Sequence, residues 1–228
     1  MNKPIALVTG STKGIGKAIA SLLEKNDYTV IRNGTSNQKY KNYIQADLSN
    51  IKGIKKVSNY IQNNYNYLNL LVNNAAFTKY IDYNNPKELS QKIIDKIFYV
   101  NLFAPYHLSM ELKKTILKSK KFNKNKAHII NIASVAGING IGSNIAYAAS
   151  KGALITLTIS LASSLPPIRV NAISPGLIKT NFVKFPEEYY VNMKKKTPLK
   201  IVGEPEDIAI AVNHLILNKY ITGQNIVV

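Results

Sequence analysis

The sequence predicts a three-layer α/β fold, a doubly wound parallel sheet of about seven strands with helices on both faces. Three observations predict it. Short apolar runs alternate with longer stretches of helical periodicity along the whole chain. The short runs are apolar at nearly every position, as burial on both faces of a sheet requires. The chain has 228 residues, 46% of them hydrophobic, enough for a substantial core.

The elements follow in order. IALVTG (5–10) is an apolar run closed by glycine and reads as the first strand. Helical spacing follows over 15–25, where Ile15, Ile19, Leu22 and Leu23 share a face. YTVIRNG (28–34) and YIQADL (43–48) read as the second and third strands. IKGIKKVSNYIQNNY (51–65) has helix spacing, and LNLLVNNAA (68–76) reads as a buried strand. A long helical stretch is expected over about 87–117, then the strand AHIINIAS (127–134). A second long helix is expected over about 144–164, then the strand IRVNAISPG (168–176). FPEEYYVNMKKKTP (185–198) reads as irregular, a helix opens near EPEDIAIAVNHLIL (204–217), and the chain ends on QNIVV. No repeat, linker or low-complexity block interrupts residues 1–228, so one domain is expected.

Composition narrows the function classes. Cysteine is absent, which excludes disulfides, a thiol nucleophile and cysteine-based metal sites. No run of 18 apolar residues occurs and the start enters directly into a strand, so no membrane span or leader is expected and a cytoplasmic protein is. The net charge of +18 suits a nucleic-acid partner, but the lysines are scattered and no basic motif interleaved with aromatics stands out. The densest run, Lys118–Lys126, reads as solvated surface, and no nucleic acid or membrane partner is expected. His107, His128 and His214 are far apart with no paired spacing, so no metal is expected. Asp82 and Glu88 read as loop or capping residues.

The first chemical signal is TGSTKGIGKA, Thr9–Ala18, between the first strand and the first helix. Gly10 suits a tight turn, Gly14 a close approach of backbone to a pyrophosphate, and Gly16 close packing of the helix. The helix N-terminus adds free N–H groups and a positive dipole end. Ser11, Thr12, Lys13 and Ile15 lie in the same turn and are candidate dinucleotide contacts.

The spacing T-G-x-x-x-G-x-G resembles that of the short-chain dehydrogenase/reductase family in its compact, single-domain, Rossmann-type form. The resemblance runs along nearly the whole chain. NNAA (73–76) matches a motif after the fourth strand, with Asn74 and Ala75 as cofactor contacts. Asn101 stands in FYVNLFAP, Ser134 closes IINIAS, and Tyr147 and Lys151 form the Y-x-x-x-K pair. SPGLIKT (174–180) matches a Pro-Gly turn, which makes Pro175, Gly176, Ile178 and Thr180 contacts by resemblance. Asp47 and Leu48 fall where the family meets the adenine. By resemblance a homodimer or homotetramer is expected, and because the family continues past YITGQNIVV with a tail, the dimer is the expectation favoured.

The Tyr–Lys pair has its own chemistry. Residues at i and i+4 share a helix face. A free tyrosine is a poor base near neutrality, and an ammonium beside it is expected to lower its pKa. The phenol can then exchange a proton with a carbonyl or alcohol oxygen that Ser134 also meets. By resemblance, Lys151 holds the nicotinamide ribose and Asn101 completes a proton relay through water.

NADP(H) is favoured over NAD(H). Binders of NAD place a carboxylate about 20 residues beyond the glycine loop. Here that region reads RNGTSNQK, with Gly34, Thr35 and Ser36 at the strand end and no acid. Lys13 supplies a cation, Thr35 stands where family members carry an arginine, and Arg32 or Lys39 is a substitute, though strand parity leaves the direction of Arg32 open. By resemblance, residues 185–198 form a lid over the substrate, in which Tyr189, Tyr190 and Met193 are expected to line the pocket. The expected function is reduction of a carbonyl or oxidation of an alcohol, on a small molecule or an acyl thioester, resembling 3-oxoacyl-carrier-protein reductases. The alternative is a non-catalytic cofactor-binding regulator or scaffold.

Overall fold

The structure, a computed structural model, describes residues 3–122, 127–183 and 187–228. It holds one seven-stranded sheet of parallel pairs in the order β3-β2-β1-β4-β5-β6-β7. The strands are β1 (Ile5–Val8), β2 (Thr29–Gly34), β3 (Tyr43–Gln45), β4 (Leu70–Asn73), β5 (His128–Ile132), β6 (Arg169–Ser174) and β7 (Asn225–Val227). The order reverses between β1 and β4, so their C-terminal ends flank a crevice, where open α/β sheets bind ligands.

Alternate strand residues feed two cores. Leu7, Ile31, Leu71, Ile129 and Val170 face α2 (Ile51–Asn64), α4 (Ala104–Phe122) and α6 (Ile145–Ser164), meeting Ile54, Ile61, Leu108, Leu112 and Leu161. Val8, Val30, Val72, Ile130 and Ile173 face α1 (Gly14–Lys25) and α8 (Pro205–Leu217), meeting Ile19, Leu23, Ile208 and Leu215. Both faces of the sheet are therefore buried, which is why the strands lack alternation.

The expected helix over 87–117 is divided. Pro86–Glu88 is a single 3-10 turn, α3 covers Gln91–Phe98, a π turn covers Tyr99–Phe103, and α4 runs to Phe122. Pro105 explains the π turn: it has no N–H to give the Asn101 carbonyl, and its ring would crowd that group in a regular helix.

Residues 187–196, read as irregular, form helix α7 (Glu187–Lys196). Glu187 and Glu188 stand in its first turn and lysines in its last, matching the helix dipole at both ends. A short helix, α5 (Ala136–Asn139), also escaped the sequence reading.

α6 is long and apolar enough to cross a membrane by length and composition, with a mean hydropathy of 1.4. In the fold, however, it buries Lys151, Leu154, Thr158 and Leu161 within the protein. Of the lysine run Lys118–Lys126, residues 123–126 lie outside the described residues.

Candidate active site

The glycine loop and the segment after β4 hold each other. Thr9 Oγ1 accepts from the N–H groups of Asn74 and Ala75, both at 3.0 Å. Asn74 Nδ2 donates to the carbonyls of Thr9 and Gly10, at 2.9 and 3.0 Å. Gly10 has φ of +61°, and a Cβ there would stand 2.8 Å from the Ala75 Cα. A Cβ on Gly16 would lie 2.3 Å from Asn74 Nδ2 and 2.4 Å from the Gly10 carbonyl oxygen. No larger residue fits at either position without moving backbone. Lys13 is the N-cap of α1, and among the described residues no side chain caps this terminus and no acid stands in its first turn. The helix end thus keeps N–H groups and its positive dipole for an anion, beside a glycine-lined turn.

Across the crevice, Ser134 follows β5, and Tyr147 and Lys151 lie on α6. Asn144 caps α6 by accepting from the Tyr147 N–H at 2.8 Å. Its Nδ2 donates to the Lys79 carbonyl at 2.7 Å and to Thr78 Oγ1 at 3.1 Å, so the segment after β4 fixes where Tyr147 starts its helix. Ser134 Oγ accepts from the Ala136 N–H at 3.1 Å, and the Ser134 hydroxyl faces the Tyr147 phenol closely enough to favour its ionised form. Lys151 Nζ donates to the Ile132 carbonyl at 2.7 Å and stands 5.8 Å from the centre of the Tyr147 ring.

The electrostatics differ from the simple expectation for a Tyr–Lys pair. Burial pushes Tyr147 up to about 12, with the Ser134 hydroxyl opposing it. Burial pulls Lys151 down to about 7. In the cleft as it stands, desolvation outweighs any help from Lys151 to the phenolate, because a half-neutral lysine offers little field.

Asn101 sits in the π turn, fully buried. Its Oδ1 accepts from the Phe77 N–H at 2.8 Å, and its Nδ2 donates to the Phe77 carbonyl at 3.1 Å and to Ser150 Oγ at 3.0 Å. The Asn101 amide thus ties the segment after β4 to α6, and its side chain does not line the cleft. Ser11 is the other candidate behind the wall: buried, its hydroxyl accepts from the Asn33 N–H at 3.1 Å.

The remaining candidates line one cavity of about 1300 Å³. Gly10, Thr12, Lys13, Gly14, Ile15 and Gly16 form one wall. Thr35, Asp47 and Leu48 close one end, and Asn74 and Ala75 lie beside them. Pro175, Gly176, Ile178 and Thr180 border the cavity together with Ser134, Tyr147 and Lys151. Asp47 Oδ1 also accepts from the Ser49 N–H at 2.9 Å, while Asn50 takes the capping position of α2. Lys39 is exposed and outside the lining, and Arg32 turns away toward α1. Tyr190 and Met193 of α7 line the cavity; the side chain of Tyr189 lies outside the described residues.

Sequence reading missed several lining residues. Lys96 places Nζ 4.4 Å from the centre of the Phe77 ring, and has no carboxylate partner among the described residues. Phe182 lies 6.2 Å from the Tyr147 ring. The Tyr83 hydroxyl accepts from the Gly142 N–H and donates to the Gly140 carbonyl, both at 2.9 Å, pinning that loop beside Tyr147. No local motif marks these residues, because long-range packing brings them in.

His128 is buried, and burial followed by the nearby Arg169 holds it well below its ordinary value. Its Nε2 lies 3.0 Å from Asn171 Nδ2, and His107 and His214 stand elsewhere. Among the described residues no three metal-ligating side chains cluster. Asp82 Oδ1 accepts from the Asn84 N–H, and Glu88 from Asn85 Nδ2, both local contacts.

Comparison with known proteins gives a consistent set of relatives. A family model described as enoyl-(acyl carrier protein) reductase matches residues 10–228. The chain is 36% identical over 233 residues to the 3-oxoacyl-acyl-carrier-protein reductase FabG of Rickettsia prowazekii, covering 97% of this chain and 93% of that one. It superposes with a TM-score of 0.86 on 4-hydroxyisoleucine dehydrogenase complexed with NADH, at 32% identity, covering 99% and 96% of the two chains. ElxO with NADP bound superposes with a TM-score of 0.85 at 27% identity, covering 99% and 97%.

Proposed function

The chain belongs to the short-chain dehydrogenase/reductase family of NAD(P)-dependent oxidoreductases, and on that premise we propose that it reduces a 3-oxoacyl thioester borne by an acyl carrier protein, using NADPH. One observation carries the reading: Ser134, Tyr147 and Lys151 line the same cavity as the glycine loop.

The residues fit a dinucleotide. The uncapped start of α1 and the turn of Gly10–Gly16 suit a pyrophosphate, which Ile15 and the other loop residues flank. Asp47 and Leu48 suit the adenine end, Lys13 and Thr35 a ribose 2′-phosphate, and Asn74, Ala75, Pro175, Gly176, Ile178 and Thr180 the nicotinamide half. When bound, the nicotinamide supplies the hydride that no side chain carries.

The chain's own residues manage the oxygen and its proton. Ser134 and Tyr147 both reach the substrate carbonyl oxygen, and Ser134 orients it. Tyr147, raised to about 12, keeps its proton at neutral pH and gives it to the oxygen as the carbonyl becomes an alcohol. Lys151 holds the nicotinamide ribose and, once charged, eases the loss of the phenol proton. Asn101 acts from behind, by positioning Phe77 and Ser150 and, as the family resemblance implies, by serving the proton relay. Lys96 gives the substrate end a positive charge that suits the phosphate on a carrier's thioester arm.

The description of the matching family model favours a second reading, reduction of an enoyl thioester. The hydroxyls alone do not decide, since an enoyl thioester also has a carbonyl oxygen; the 36% identity to a 3-oxoacyl-acyl-carrier-protein reductase over 97% of the chain favours the carbonyl. Self-association fits the same reading: Phe103, Tyr106 and Met110 form an exposed apolar line on the π turn and α4. The test is NADPH oxidation over a panel of 3-oxoacyl thioesters, enoyl thioesters and simple ketones. The reading expects the 3-oxoacyl thioesters to give the highest kcat/KM, and turnover of the enoyl set alone would refute it.

A further inference from the structure

Arg32 is buried near the end of β2, 3% exposed, on the face that carries Val30 and looks at α1. Its guanidinium is committed in four directions. Nε and Nη2 grip the Glu24 carboxylate at 3.1 and 2.9 Å. Nη2 also donates to Ser21 Oγ at 3.3 Å, and Nη1 donates to the backbone carbonyl of Ser11 at 3.0 Å. The Tyr40 ring covers the guanidinium, its centre 4.6 Å from the Arg32 Cζ. A fork used in this way cannot also meet a cofactor phosphate, so Arg32 is not the missing second cation.

Its contact with Ser11 matters because Ser11, itself buried, leads directly into the accessible part of the glycine loop at Thr12 and Lys13. The Ser11 N–H donates to the Asn33 carbonyl at 2.9 Å, the Asn33 N–H donates to Ser11 Oγ, and Asn33 Nδ2 in turn donates to the carbonyls of Ile44 and Ala46. The loop is thereby fastened to β2, and β2 to the β3 region. Beyond the clamp, Thr12 lies so close to β2 that a Cβ on Gly34 would come within 2.7 Å of its Cγ2. Lys13 on the loop and Thr35 after β2 then line the same end of the cavity.

We propose that Arg32, locked by Glu24, is a positioning residue for cofactor choice: it fixes the gap between Lys13 and Thr35 across which a ribose 2′-phosphate is held. This rests on the NADPH reading of the site. A 2′-phosphate held by Lys13 and Thr35 would bridge the loop and the strand end, and so would sense their separation. A pyrophosphate held by the glycine turn and the start of α1 alone would not.

The test measures NADPH and NADH dissociation constants by nucleotide fluorescence, without substrate, in wild type, Arg32→Met, Arg32→Lys and Glu24→Gln. Thermal melting of the cofactor-free proteins is followed in parallel. Arg32→Met is expected to weaken NADPH about tenfold or more and NADH less than about threefold. Arg32→Lys, whose single ammonium cannot bridge Glu24 and Ser11 as a fork does, is expected to fall between. Glu24→Gln loosens the grip on Arg32 and is expected to lower the preference for NADPH as well. If Arg32→Met does not fold, the other two variants carry the test. Variants that lose melting temperature while weakening both cofactors equally would overturn the clamp. Tighter NADPH binding by Glu24→Gln would also overturn it, because the freed arginine would then be meeting the phosphate itself. A wild type that binds NADH more tightly than NADPH would instead remove the premise, and the proposal with it.

Discussion

Replacing Lys151 by methionine should change how stability depends on pH. Lys151 is buried, and its ordinary value of 10.5 falls to about 7 in the folded protein. In the unfolded chain it returns to about 10.4. The unfolded state therefore binds the extra proton between those values, and stability must rise with pH across that window. Each unit of difference is worth about 1.4 kcal/mol, so below pH 7 the buried ammonium costs roughly 5 kcal/mol. That cost is relieved progressively above pH 7, by about 2 kcal/mol between pH 7 and pH 9. Methionine has a similar length and no proton to lose. Urea unfolding of the cofactor-free wild type and Lys151→Met at pH 7, 8 and 9 gives the difference, in which the other titrating groups cancel. The stability advantage of the methionine variant should shrink by about 2 kcal/mol over that range. A difference that stays flat would show that Lys151 remains charged when folded, and would refute the desolvation argument.

Three further outcomes are expected. Gly16→Ala forces a Cβ against the Gly10 carbonyl and should destabilise the apo protein by about 1–3 kcal/mol, read by denaturant unfolding; an unchanged midpoint would contradict the contact. Lys13→Ala should weaken NADPH binding about ten- to a hundredfold and leave NADH nearly unchanged in a fluorescence titration. Light scattering should find a dimer or tetramer at micromolar concentration, and replacing both Phe103 and Met110 by lysine should give monomer; a monomeric wild type would refute the assembly.

Much of this was legible in the sequence because a few features leave no choice. Strands apolar at nearly every position require a sheet covered on both faces. Glycines at 10 and 16 stand where a Cβ would strike backbone or a neighbouring side chain. The same uniform apolarity hid the direction of Arg32: with no alternation, period two cannot tell one face from the other. The π turn at Asn101 depends on a missing N–H four residues on, at Pro105, which a helical pattern read by side-chain periodicity does not register. Helix α7 was masked by its charges, which look like loop composition until their order against the dipole is considered. In the sequence Gly34 shows only a strand end without an acid, yet a Cβ there would press on Thr12 and come 2.9 Å from the Tyr43 hydroxyl. An aspartate at this position would therefore disturb the loop as well as meet a ribose. The raised pKa of Tyr147 depends on burial, which only the assembled cleft reveals.

The central claim is that the Tyr147 phenol delivers a proton to a substrate carbonyl. Its direct measurement is kcat for NADPH oxidation with a 3-oxoacyl thioester, in wild type and in Tyr147→Phe, which keeps the ring and its packing. Losing a positioned acid should lower kcat by at least about a hundredfold while NADPH affinity and melting temperature hold. A phenylalanine variant with near-normal kcat would contradict the account.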